Sequence, residues 1–325
     1  MVSSYRVAWW NLENLFDERD APDRSDKLQR AIGRDLAGWT RERRDTKIAQ
    51  LASAIARMGD GAGPDLLGVC EVENERVLGL LRDRLAAALP DRSYAVVRAD
   101  TSDQRGIDVA FVYDTAYFTA GEHFQHVVMR RTATREILQV NFRTHRDRLW
   151  VLFANHWPSR SGGAEVTAGY RAIAGETLAY FHERVRQVHG ADTPVLVMGD
   201  FNDEPFDDSL VRHALSVRQD ARVRAGRNPY LLNLTWEVLG ERAGTFYFDN
   251  EPNVLDQFLV NKAMLQPDAP VAVVPASVEV VRLPGMVAEG RYPYPIAFGG
   301  IGERRLNEQG YSDHSPITVE VVERD

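Results

Sequence analysis

Lysine is nearly missing from this chain. Only Lys27, Lys47 and Lys262 occur, so almost all of its 39 basic side chains are arginine. The planar arginine fork suits bidentate phosphate contacts, although a genomic coding bias accounts for the same excess. Cysteine is rarer still: Cys70 stands alone, which excludes an internal disulfide and suits a reducing compartment. No apolar run approaches the ~20 residues that a membrane-spanning helix requires, so stable membrane insertion is not expected. Residues Met1 to Asn11 lack the basic start and apolar middle of an export signal. A cytoplasmic placement is the expectation, with secretion as the alternative should an export signal precede the chain. A formal net charge of −8 argues against a broadly basic, nucleic-acid-coating surface. It leaves room for an acidic metal cleft rimmed by arginines. Repeats, low-complexity tracts and linkers are also missing, so residues 1–325 are expected to form one domain. No obligate protein partner is implied.

What is present centres on the stretch from Pro194 to Asp203. A short apolar run, Val195 to Met198, fits a buried strand better than a helix. Gly199 lets the backbone turn sharply at the strand's carboxyl end, where open α/β sheets hold ligands. Asp200 and Asn202 lie two apart, so in an extended exit both side chains face one cavity. Further strands are expected at 5–10, 65–70, 94–98, 107–113, 137–142, 149–155, 254–260 and 317–321. Helical spacing marks 45–58, 75–89 and 164–188, the last with Val166, Tyr170, Ile173, Thr177 and Phe181 on its buried face. Residues 17–45 carry no pattern and are expected to be irregular. Residues 284–311, rich in Gly, Pro and Tyr, form a connection long enough to be functional rather than idle.

Polar groups sit at the ends of these strands: Asn11, Glu13, Glu71, Asp108, His156, Asp200, Asn202, Asp313 and His314. Singly, each has a structural explanation. Asn11 caps a turn, Glu71 begins a helix, His156 is a satisfied core histidine, Asp313 caps a strand. Asp256 resists such treatment, because an ionised carboxylate inside an apolar strand needs a partner, and His314 is the natural one. Together, hard oxygen donors without clustered cysteines select Mg²⁺, Mn²⁺ or Ca²⁺ over zinc. Two carboxylates ~4 Å apart repel by ~4 kcal/mol at an effective dielectric near 20, so their convergence requires a cation. Two histidines beside them supply proton transfer near neutral pH.

These residues carry a family resemblance. Trp10-Asn11-Leu12-Glu13-Asn14-Leu15, Gly68 to Asn74, Gly106-Ile107-Asp108-Val109-Ala110, Asn155-His156-Trp157, Gly199-Asp200-Phe201-Asn202, Leu255-Asp256 and Ser312-Asp313-His314 occur in order. The chain thus resembles the endonuclease/exonuclease/phosphatase superfamily. The resemblance implies a four-layer αββα sandwich of two packed mixed β-sheets with helices on the outer faces. It implies Glu71 as the principal Mg²⁺ ligand, Asn11 beside it, Glu13 in place of a more usual aspartate, and Asp313 as a further acidic group near the metal. Asp256 would orient His314, which would act as general base or bind phosphoryl oxygens. Asp200 would position or deprotonate the attacking water and Asn202 would donate to the phosphoryl oxygen. His156, held by Asp108, matches the deoxyribonuclease and sphingomyelinase branches.

A Mg²⁺-dependent phosphodiesterase, foremost a nuclease, is therefore expected, with Arg105, Arg130, Arg131, Arg135 and Arg160 available to grip phosphates. A phosphatase or phospholipid diesterase acting on small or lipid phosphate esters is the alternative enzyme. A binding or scaffold protein with a dead site is a third reading, weakened because no expected catalytic position is apolar.

Overall fold

The computed structural model describes residues 2–22, 24–100, 105–131, 133–240, 244–302 and 304–325. Two mixed sheets, each of seven strands among these residues, form its centre. In spatial order the first comprises Val271–Val273, Ile317–Glu323, Ser3–Leu15, Leu66–Val72, Asp108–Asp114 and Tyr94–Arg98, with Glu279–Val280 also on Ile317–Glu323. The second comprises Phe118–His126, Ile137–Thr144, Leu149–His156, Val195–Asp200, Asp256–Asn261, Leu231–Asn233 and Ser216–Val217. Ser3–Leu15 runs parallel to Leu66–Val72, and Leu149–His156 parallel to Val195–Asp200. Parallel neighbours need a long crossover, which Arg41–Arg57 and Ala164–His189 supply as helices.

Side-chain alternation sorts the layers. Val7 and Trp9 point between the sheets and meet Leu196, Met198, Phe258 and Val260. Ala8, Trp10 and Leu12 point outward, beneath Ile48 and Leu51 of one helix and Leu78 and Leu81 of the helix Glu75–Ala88. On the far side, Val151, Phe153, Val195 and Val197 pack under Ala174, Leu178 and Val185. The result is the expected four-layer sandwich. The sheets approach closely at Gly68, where a Cβ would lie 2.6 Å from the Met198 sulfur and 2.7 Å from the Trp9 ring.

Several local expectations need correction. The stretch 17–45 is not wholly irregular: it holds the helix Asp26–Ile32, capped by Ser25, and the first turn of Arg41–Arg57, capped by Thr40. The edge strand Phe118–His126 escapes a search for alternation because most of its residues face solvent. Along Ala164–His189 the buried face is Arg171, Ala174, Gly175, Leu178, His182 and Val185, one position over from the expected one, and Val166 is 79% exposed. Glycine is required at the middle of that face because a Cβ on Gly175 would lie 2.4 Å from the Ser209 carbonyl oxygen. Among the described residues, no helix is long and apolar enough to cross a membrane.

Candidate active site

Strand register brings the polar groups together. His156 lies opposite Asp200, and Asp200 opposite Asp256, at one end of the second sheet. In the first sheet Asn11 pairs with Cys70, next to Glu71. Gly199 differs from expectation: it lies inside the strand Val195–Asp200, not at a turn. Glycine is demanded there because a Cβ would sit 2.5 Å from that of Asn155 on the parallel neighbour. The turn follows at Asn202, whose φ is 51°. Glu13, Asn14 and Glu71 are likewise left-handed, at φ of 50°, 56° and 63°. A register shift at Glu71, between Cys70 and Val72, takes it out of the ladder.

The crevice between the sheet ends collects these groups. His156 Nε2 lies 3.6 Å from Glu71 Oε1 and 3.8 Å from Asp200 Oδ2. Asp200 accepts from Asn11 Nδ2 at 3.0 Å and from the Asn202 amide at 2.9 Å. His314 Nδ1 bonds Asp256 Oδ2 at 2.7 Å, and its Nε2 is 3.9 Å from Asp200 Oδ2. The other Asp256 oxygen accepts from Trp9 Nε1 at 2.9 Å. Asp200, Asp256 and His314 offer ligand atoms within 4.8 Å of one another. Burial pushes the Asp200 carboxyl well above the ordinary carboxylate range; Asp256 adds to this and His314 opposes it. For His314, burial favours the neutral ring, but the Asp256 and Asp200 carboxylates outweigh it and raise its pKa. His156 moves the other way, kept neutral by burial and by the cations of Arg135, Arg105 and His314.

Other expected groups take different partners. Asp108 does not hold His156, whose Nδ1 is buried without a hydrogen bond; Asp108 pairs with Arg98 on the adjacent strand. Arg160, expected at the substrate phosphate, has internal partners: its guanidinium bonds the Asn202 carbonyl, Asp203 and Asp207. Asn202 Nδ2 donates to the Trp157 carbonyl at 3.0 Å. Glu13, expected at the metal, has its carboxylate taken up by the Phe298 and Gly299 amides and by Arg304. Asp313 pairs with Arg304 at 2.5 Å, and Arg105 donates to Asn14 Oδ1. Sequence reasoning missed the supports beneath, Trp9 under Asp256, Trp10 on the His314 carbonyl and Arg304, and it offered Arg135 to phosphates where the side chain bonds the carbonyls of His156 and Trp157. The paired tryptophans just before Asn11 were the available signal.

The donors fit a divalent cation by their chemistry. Carboxylate oxygens of Glu71 and Asp200 both lie within 4 Å of His156 Nε2, Asn11 turns its amide nitrogen to Asp200 and its oxygen to the Glu13 amide, and the thiol of Cys70 belongs to the apolar layer between the sheets.

A two-sheet sandwich with carboxylates and imidazoles across its strand ends defines a phosphoesterase class of protein. Residues 6–323 match the Endonuclease/Exonuclease/phosphatase family. The chain belongs to that family, whose members are phosphoric ester hydrolases. None of the curated proteins compared with the sequence matches it. Among solved structures, an endonuclease/exonuclease/phosphatase family protein from Bacteroides thetaiotaomicron is 18% identical, with TM-score 0.57 over 100% of this chain and 99% of its own. A humanized D. rerio TDP2 is 14% identical, with TM-score 0.59 and 98% of each chain covered. A mannosyl-6-phosphatase from Bacteroides thetaiotaomicron is 18% identical, with TM-score 0.54 over 98% of this chain and 99% of its own. At these identities the likeness is one of fold.

Proposed function

We propose that this chain is a divalent-metal-dependent phosphodiesterase, with nucleic acid as the leading substrate and Mg²⁺ as the leading cation, Mn²⁺ and Ca²⁺ suiting the same donors. The observation that carries the reading is the crevice itself, where Glu71, His156, Asp200 and the Asp256–His314 pair lie within 4 Å of a neighbour in the set. The Glu71 and Asp200 carboxylates would hold the cation, with Asn11 fixing Asp200 through its amide nitrogen, and the cation when bound would supply Lewis acidity and offset charge on the phosphoryl group. Asp200, fixed through both oxygens by Asn11 and the Asn202 amide, accepts the proton of the attacking water. His314, oriented and kept cationic by Asp256, donates toward the phosphoryl or leaving oxygen. Arg135, donating to the carbonyls of His156 and Trp157, steadies His156 opposite Glu71.

The phosphatase or lipid-diesterase alternative is favoured by Tyr292 and Tyr294, 43% and 48% exposed on the 284–311 connection, where they suit a headgroup or sugar. A panel of single- and double-stranded DNA, abasic DNA, RNA, a lipid diester and inositol phosphates, assayed with several divalent metals, separates the two. On a nucleic-acid substrate, affinity should fall steeply with salt; on a small ester it should not. Glu71→Ala and His314→Ala are each expected to lower kcat by about 10²-fold or more. Intact diesters after incubation with Mg²⁺ and Mn²⁺ would reject the proposal.

A further inference from the structure

We propose that Arg304 is a substrate-phosphate ligand and that Glu13 is the positioning residue that holds it over the crevice; the assignment rests on the phosphoester reading above. Glu13 is buried, and its carboxylate is already engaged. It accepts from Phe298 N at 2.8 Å, Gly299 N at 3.2 Å and Arg304 Nη1 at 3.0 Å, with the buried Lys47 Nζ at 4.0 Å. The amides it plugs belong to a closed turn. Gly299 and Gly300 are left-handed, Gly300 N donates to the Arg304 carbonyl, and Asn307 N donates to the Phe298 carbonyl. Glu13 therefore fixes the turn that carries Arg304.

The guanidinium is placed for recognition rather than for packing. Nη1 bridges Glu13 and Asp313, the residue before His314, while the side chain remains 52% exposed. Nε and Nη2 make no hydrogen bond among the described residues, leaving donors of the arginine fork for a phosphate oxygen pair. Arg160, with its guanidinium spread over three internal acceptors, lacks that freedom. Asn14, next along the chain, bonds Arg105 through its side chain and Glu71 through its amide. Consecutive left-handed residues thus hold Arg304 on Glu13 and Arg105 on Asn14, whose amide bonds Glu71.

The test combines calorimetry of inorganic phosphate and of Mn²⁺ on the intact protein, steady-state kinetics on a small diester, and amide exchange over 297–304. Losing one charge-assisted contact, Arg304→Met should weaken phosphate binding and raise KM about tenfold, with kcat changing less than about threefold. Arg304→Lys, a point charge without the fork, should recover part of the affinity. Glu13→Asp, shorter by about 1.5 Å, and Glu13→Gln should speed exchange at Phe298 and Gly299 while leaving Mn²⁺ affinity within about twofold, because the Glu13 carboxylate is spent on the Phe298 and Gly299 amides and Arg304. Unchanged phosphate affinity in Arg304→Met would overturn the proposal. So would a tenfold loss of Mn²⁺ affinity in Glu13→Gln with the amides still protected. If the wild type binds phosphate, and Arg304→Met does so more weakly, but neither cleaves a diester, the phosphodiesterase reading fails and the Arg304 assignment stands.

Discussion

At the scale of single residues, the site is held in conformations that ordinary side chains avoid. Glu13, Asn14, Glu71 and Asn202 all have φ between 50° and 63°, a region costing on the order of 1–3 kcal/mol for a non-glycine residue. Their hydrogen bonds offset that cost: Asn14 N to Glu71, Asn202 N to Asp200, Glu13 N to Asn11. A second buried group lies outside the site. His182 is enclosed in the face of Ala164–His189, where the Pro229 backbone only partly opposes the effect of burial on its ring. Burial first, and the Arg186 cation second, push its pKa down to about 4 from 6.5. Because the folded ring resists a proton that the unfolded ring accepts, its contribution is intact above about pH 6.5 and declines as pH falls toward 4. The linkage amounts to about 3 kcal/mol across that window. Urea unfolding of His182→Leu should show a shallower loss of stability than wild type between these values. An identical acid slope in both proteins would remove His182 from the account.

At the scale of elements, the helix Ala164–His189 shows how a glycine is tolerated for contact in one place and merely endured in another. Gly175 meets the Ser209 carbonyl oxygen and the Ala214 amide, so Gly175→Ala must push backbone aside. A loss of about 2 kcal/mol is expected. Gly169, on the same helix, has nothing within 4 Å of a built Cβ. Gly169→Ala should therefore stabilise by about 0.5–1 kcal/mol, by restricting the unfolded chain. Equilibrium unfolding of the two variants reads the contrast directly: opposite signs are expected, and a stabilised Gly175→Ala would show that the helix and the Ser209–Ala214 turn are not in close contact. The 284–311 connection belongs to the same scale. Its length marked it as functional, and its Phe298 and Gly299 amides and Arg304 on Glu13 show what ties it to the strand that carries Asn11.

At the scale of the molecule, Glu71 comes from one sheet and Asp200 and Asp256 from the other. A cation shared across the crevice would tie the two sheets together, so metal binding becomes folding stability. At Mg²⁺ a hundredfold above Kd, linkage adds about 2.7 kcal/mol. Thermal unfolding should shift upward with Mg²⁺ and return on adding chelator, while Glu71→Gln should show no such shift. An equal Mg²⁺ increment in Glu71→Gln would place the bound ion elsewhere.

Sequence alone determined the identity and order of the acidic and imidazole groups and the alternation that buries one face of each strand. Those signals are local: the Asp200 strand and the Asp256 anomaly inside an apolar run can be seen without knowing what lies opposite. Tertiary structure decided the partners. Asp108 turned to Arg98, Arg160 to Asp203 and Asp207, and Glu13 to the Phe298–Gly299 turn, each choice made by a residue from another strand or loop. Gly199 proved to serve close contact with Asn155 instead of a turn. Contacts between residues far apart in the chain depend on register and on how near two sheets come, and neither quantity is written in any single stretch of residues.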